Sequence, residues 1–305
     1  MTILFEKTIM LVAIIAIGYM CSRFKLVSLE FNKGLSKIVL NIFLPAMILS
    51  SVINKEVPMT GSELISGFLM MIVMSLVCYG IGLLTPTILR IKDGDKGMYR
   101  MLAGFMNNGF FGFPLIAAVY GEGAVFFASL SNIPFNTLLY TFGILLLKDK
   151  DTKVDFRLKS ILSAPLVATI IAALILIFKI HIPSIIADIV TTVGNGTVPL
   201  SMMCIGISLG AVPIYKAFTN LRLYGVSLVR LLLCPVAVWF ILHFFITNPM
   251  ILGIIVIISG CPSAAVCTML GIENGRDGVE SSEGIFLCSV LAALTIPLLM
   301  KVLGL

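Results

Sequence analysis

Apolar stretches of about 20 residues, the length that carries a helix across a bilayer's hydrocarbon core, recur ten times along this chain. They lie at approximately 4–21, 35–53, 63–89, 99–120, 122–147, 160–180, 184–211, 220–246, 249–271 and 279–304. Hydrocarbon offers no hydrogen-bond partner, so each spanning segment must satisfy its own backbone, as a helix does. Loops between the segments are short, which leaves almost nothing over for a soluble domain. Composition agrees: 59% of the 305 residues are hydrophobic and 12% charged, where a soluble domain carries roughly 25% charged residues. The mean hydropathy is +1.11. The expected fold is an all-α polytopic membrane protein of ten transmembrane helices.

Lysine and arginine placement then sets an expected orientation. With ten spans, 17 of the 21 bases fall on one side, Arg23, Arg90, Arg222 and Arg230 among them. Lys7, Lys55, Lys179 and Lys301 fall on the other. The expectation is a multi-pass protein of the cell membrane with both termini outside and a cytoplasmic central loop. The net charge of +6 reflects this bias and implies no nucleic-acid partner. The first stretch reads as a retained helix: Glu6 cancels Lys7, and Arg23 and Lys25 follow where a signal peptide would have a small-residue cleavage site.

Two of the ten segments are interrupted at their centres, in matching positions of the two halves. The fourth contains Asn107-Asn108-Gly109-Phe110-Phe111-Gly112-Phe113-Pro114, and the ninth contains Gly260-Cys261-Pro262-Ser263. Mid-helix Gly and Pro release backbone groups, which a membrane protein tolerates only where they face protein or a polar cavity. Paired breaks, one per half, are the best sequence pointer to a carrier's substrate site. Other features repeat too. Asn41 precedes Pro45 by four residues in the second segment, as Asn195 precedes Pro199 in the seventh, and the fifth and tenth contain Glu122-Gly123 and Glu283-Gly284. Residues 1–147 and 160–305 therefore read as two five-helix repeats joined by a hydrophilic connection at 148–159. Five is odd, so the repeats must insert with opposite orientation, as an inverted pair.

Pro114 and Pro262 each suit the first helical position after an interruption, where a missing N–H costs nothing. The downstream half-helices then converge their amino ends on one place, and the upstream carboxyl ends partly offset them. Side chains favour an anion, since Asn107, Asn108 and Ser263 are neutral donors and no Asp or Glu falls at mid-depth. The expected substrate-binding set is Asn107, Asn108, Gly109, Pro114, Asn132, Pro262, Ser263 and Asn41. Gly112, Pro45, Asn195, Pro199 and Gly260 are the expected hinges. Asn132 and Asn136 share a helical face, where an interhelical hydrogen bond competes with substrate lining. Lys33 and Lys37 stand below Asn41 and read as snorkelling or guiding cations. Arg230 reads either as an intramembrane arginine with a partner or as an inner-interface residue. The seven cysteines show no C-x-x-C pair, and His181 and His243 have no companions for a metal set. No metal or cofactor is expected, and no catalytic constellation argues for an enzyme.

Phe105-Met106-Asn107-Asn108-Gly109-Phe110-Phe111-Gly112-Phe113-Pro114 with Val119-Tyr120-Gly121 resembles the fourth-helix signature of the auxin efflux carrier family. That family includes plant PIN transporters and bacterial malate permease-like proteins. Asn41 to Met47 resembles its second-helix motif, and Gly260 to Ala264 with Glu273-Asn274 its ninth helix and following loop. The resemblance covers essentially the whole chain. It implies a scaffold of helices 1, 2, 6 and 7, a mobile transport domain of helices 3–5 and 8–10, and crossing of broken helices 4 and 9. It also implies export of small organic anions by alternating access, and a homodimer. The long cytoplasmic loop of plant members is missing, and Ser263 stands where those members tend to have Gln. A small carboxylate therefore fits better than auxin. An anion channel and a membrane-embedded ligand sensor are the alternatives.

Overall fold

The computed structural model describes residues 2–55, 58–91, 96–147, 162–210, 214–274 and 278–304. The expected central loop 148–159 lies outside them. Helices account for all regular structure among the described residues, apart from one isolated antiparallel bridge. In chain order they are α1 Thr2–Arg23, α2 Leu29–Ile38, α3 Leu44–Ser50, α4 Gly61–Ile88, α5 Lys96–Gly104, α6 Phe113–Tyr120, α7 Gly123–Ser129, α8 Asn132–Leu138 and α9 Ile144–Leu147. The second half continues with α10 Ala164–Phe178, α11 Ser184–Asn195, α12 Thr197–Gly210, α13 Ile214–Thr219, α14 Leu221–Leu228, α15 Cys234–Leu242, α16 Pro249–Ser259, α17 Ala265–Glu273 and α18 Gly278–Val302. Among the described residues, six helical runs are long and apolar enough to cross a membrane: Leu29–Ser50, Gly61–Ile88, Gly123–Leu147, Ser184–Gly210, Leu221–Leu242 and Gly278–Val302. Shorter apolar helical stretches lie at Ile9–Arg23, Asn108–Tyr120, Ala164–Phe178 and Pro249–Ser259. The chain is thus an all-helical polytopic membrane protein.

Local chemistry explains where helices bend and stop. Wide π turns occupy Val39–Phe43, Asn108–Gly112 and Val229–Leu233, and each ends two residues before a proline: Pro45, Pro114 and Pro235. A proline lacks its N–H and its ring crowds the carbonyl four residues back; the wider turn, bonding one residue further back, takes up the misfit inside a continuous helix. The Leu44 N–H accordingly donates to the Val39 carbonyl. At the other ends, α1, α4 and α10 each close on a left-handed residue that is basic instead of glycine: Lys25 (φ 57°), Arg90 (φ 51°) and Lys179 (φ 49°). The paired bonds of a Schellman close follow in each, as in Leu26 N–H to Cys21 O (2.9 Å) and Lys25 N–H to Ser22 O (3.0 Å). A cation there faces the negative end of the helix dipole. At its start, α4 is held by a capping box in which Glu63 accepts from the Thr60 N–H (2.8 Å) and Thr60 Oγ1 accepts from the Glu63 N–H (3.3 Å).

The chain divides into two compact units. One comprises residues 1–68, 109–132 and 162–211; the other comprises 69–108, 133–161 and 212–305. In the first, α1 and α12 approach through glycines. A side chain at Gly206 would overlap the Ile15 carbonyl, one at Gly210 would meet Ser22 Cβ at 2.5 Å, and Gly18 lies against the Met203 backbone. Small residues at such a seam let two backbones meet where lipid supplies no hydrophobic drive. Also in this unit, Thr197 Oγ1 donates to the Phe43 carbonyl (2.8 Å), and Gly194 lies against the Met47 backbone. The two Asn-x-x-x-Pro motifs therefore sit on neighbouring helices. In the second unit, α16 is buried on every side from Ile251 to Ser259, as a helix apolar all round must be. Gly82 and Gly104 let α4 and α5 close up, since a Cβ on Gly82 would stand 2.7 Å from the Gly104 Cα.

Candidate functional site

Helix α5 ends at Gly104, and α16 ends at Ser259 with Gly260 as its C-cap. The chain segments that follow them pair in antiparallel fashion. The Ala264 N–H donates to the Phe105 carbonyl (3.1 Å) and the Asn107 N–H to the Pro262 carbonyl (2.8 Å). Met106 and Ser263 face each other between these two bonds. This short ladder gives the non-helical backbone the partners that hydrocarbon would deny it.

Three carbonyls at the end of α5 also have partners. Ser263 Oγ donates to Leu102 O (2.6 Å) and the Cys267 thiol to Met101 O (3.6 Å). Ala103 O accepts from Arg230 Nη1 (2.9 Å) and, more weakly, from the Cys234 thiol (3.8 Å). The other arm of the guanidinium, Nη2, reaches the Ser259 carbonyl at the end of α16 and the Cys78 sulfur (3.6 Å). Arg230 is fully buried.

One sequence expectation changes here and one open alternative is decided. Neither proline is the first helical residue after its interruption. Pro262 lies in the extended linker, and its carbonyl accepts the Asn107 N–H, while helical geometry resumes at Asn108, well before Pro114. The first interruption is accordingly Phe105–Asn107, upstream of the Gly-Phe-Phe-Gly run, because antiparallel pairing needs extended backbone and not glycine. Of the two readings open for Arg230, the buried arginine with partners is the one found: it lies in the protein interior against both interruptions. The signal available was that it is the sole charge between Arg222 and the end of the eighth segment.

The unit containing the ladder thus brings Asn107, Pro262, Ser263 and Gly260 together, with Asn108 buried beside them. Asn107 is committed through its backbone and keeps its side chain partly exposed. The Ser263 hydroxyl proton is engaged by Leu102. The other expected residues belong to the first compact unit. Pro114 is buried in the first turn of α6 and Gly112 is that helix's N-cap. A Cβ on Gly109 would meet Leu44 Cδ2 at 3.0 Å. Asn132 is buried with no hydrogen-bond partner for its Nδ2. Asn41 is exposed and turns its amide back to Lys37 O (2.7 Å). Pro45 opens α3, Asn195 ends α11, and Pro199 lies in the first turn of α12.

An apolar, all-helical chain in which two helix ends meet at a buried backbone pairing is of the kind expected of a membrane transporter. Residues 3–300 match the family described as membrane transport protein, and the chain belongs to this family, that of the auxin efflux carriers. Two relatives carry only the name uncharacterized transporter. That of Methanocaldococcus jannaschii is 26% identical, and that of Methanothermobacter thermautotrophicus 24% identical, each over 96% of both chains.

Proposed function

We propose that the protein is a secondary carrier that exports small carboxylates from the cell by alternating access. The observation that supports this best is the ladder between residues 105–107 and 262–264. It pairs the interruptions of the fourth and ninth apolar segments, the arrangement expected of helices that cross in an inverted repeat of ten. In this reading both termini are outside, and the scaffold and transport domains follow helices 1, 2, 6, 7 and helices 3–5, 8–10. Asn107 and Asn108 are the side chains that meet the carboxylate in this reading, and Ser263 holds the end of α5. Protein reconstituted in proteoliposomes and screened against mono- and dicarboxylates should move at least one of them with saturable kinetics. Failure with the whole panel, or conductance at channel rates, would sink the proposal.

A further inference from the structure

We infer that Arg230 is a resident cation of the paired interruptions, filling a carbonyl cradle that would otherwise take a metal ion, so that the carrier needs no coupling cation. Its consequence for transport rests on the anion-carrier reading above; the cradle itself does not. Two helices, α5 and α16, end where their chains pair, and each carboxyl end carries roughly half a negative charge. Freed carbonyls and half-helix carboxyl ends are the groups that hold sodium or protons in carriers with broken helices. Here the oxygens of that kind, Ala103 O and Ser259 O, are both taken by one guanidinium, with the Cys78 sulfur beside it. No carboxylate forms an ion pair with Arg230 among the described residues. The positive charge therefore lies against two helix carboxyl ends and the Cys78 sulfur, with the guanidinium fully buried.

The balance bears on ligand sign. Without Arg230 the carboxyl ends of α5 and α16 would cancel the attraction of the amino end of α17 for an anion. With it they are neutralised, and that amino end acts unopposed. Arg230 is thus a positioning and charge-setting residue that acts through two backbone ends.

The test reads cation binding without any substrate. Purified full-length protein and the Arg230→Ala variant are unfolded thermally in choline, sodium or guanidinium chloride at equal concentration, about 20 mM or more. The wild-type midpoint should be the same in sodium and choline. Arg230→Ala should unfold about 5 °C lower or more in choline and regain most of that loss in guanidinium or sodium, which enter the vacated cradle. A variant equally destabilised in all three salts would make Arg230 a packing residue and overturn the inference. So would a wild-type midpoint that rises in sodium over choline, a result that stands even where the variant does not fold. Inability to transport any carboxylate would leave these shifts untouched and count against the carrier reading alone.

Discussion

Asn107 and Ser263 sit on facing strands of the same ladder yet do different work. Asn107 is held by its main chain, through the N–H that donates to Pro262 O, so truncating its side chain leaves that bond in place. Asn107→Ala should therefore keep the ladder and lose substrate affinity by about tenfold, as one neutral amide contact to a charged acceptor would give. Ser263→Ala should behave in the opposite sense. It strips the donor from the buried Leu102 carbonyl, a loss of about 1–3 kcal/mol visible in thermal unfolding. Parallel measurement of substrate-induced stabilisation and of the ligand-free midpoint separates the two. If Asn107→Ala binds like wild type, the carboxylate lies elsewhere. The position of both residues at the interruptions was legible in the sequence, because Asn and Ser beside Gly and Pro stand out within apolar runs. Their division of labour was not, since it depends on which backbone group lies opposite each across the ladder.

Helices in this protein meet through missing side chains as often as through matched ones. On α12, Gly206 and Gly210 are one turn apart on the face that touches α1, and any Cβ there would collide with Ile15 or Ser22. Gly206→Val should accordingly prevent assembly of the membrane domain, with the variant lost from the monodisperse peak in fluorescence-detected size exclusion. Gly80→Ala, where a Cβ would meet open space, should elute as wild type. Normal elution of Gly206→Val would mean that α1 and α12 do not touch as described. The Gly-x-x-x-Gly spacing was readable beforehand, whereas its partner face on α1 was not, since Gly18 is a single small residue in an otherwise bulky run. The basic residues that end α1, α4 and α10 show a similar gap. Their charge marks a side of the membrane at sight, but their left-handed backbone, which stops each helix, comes from the local bonding and leaves no mark in composition.

For the molecule as a whole, three acidic groups near helix ends already have structural partners. Glu63 caps α4, Glu122 pairs with Lys55 at 2.5 Å, and Glu280 accepts from Tyr99 Oη (2.6 Å) and Asn220 Nδ2 (3.0 Å). These three are held in place and do not ferry a proton in the carrier reading. Anion movement should then follow the membrane potential, at about 2.3 kcal/mol per charge per 100 mV, with neither a pH nor a sodium gradient. Proteoliposomes with the potential set by a potassium gradient provide the measurement. Flux that ignores the potential and rises steeply with an imposed proton gradient would show the opposite. The ladder between residues 105–107 and 262–264 also constrains biosynthesis. Its two edges lie more than half the chain apart, and synthesis at about 5–20 residues per second separates them by on the order of ten seconds. For that interval the first half waits in or beside the membrane with its edge unmatched, so the ladder is among the last contacts to close. A nascent chain halted before the ninth segment would carry an open seam, a ready target for membrane quality control.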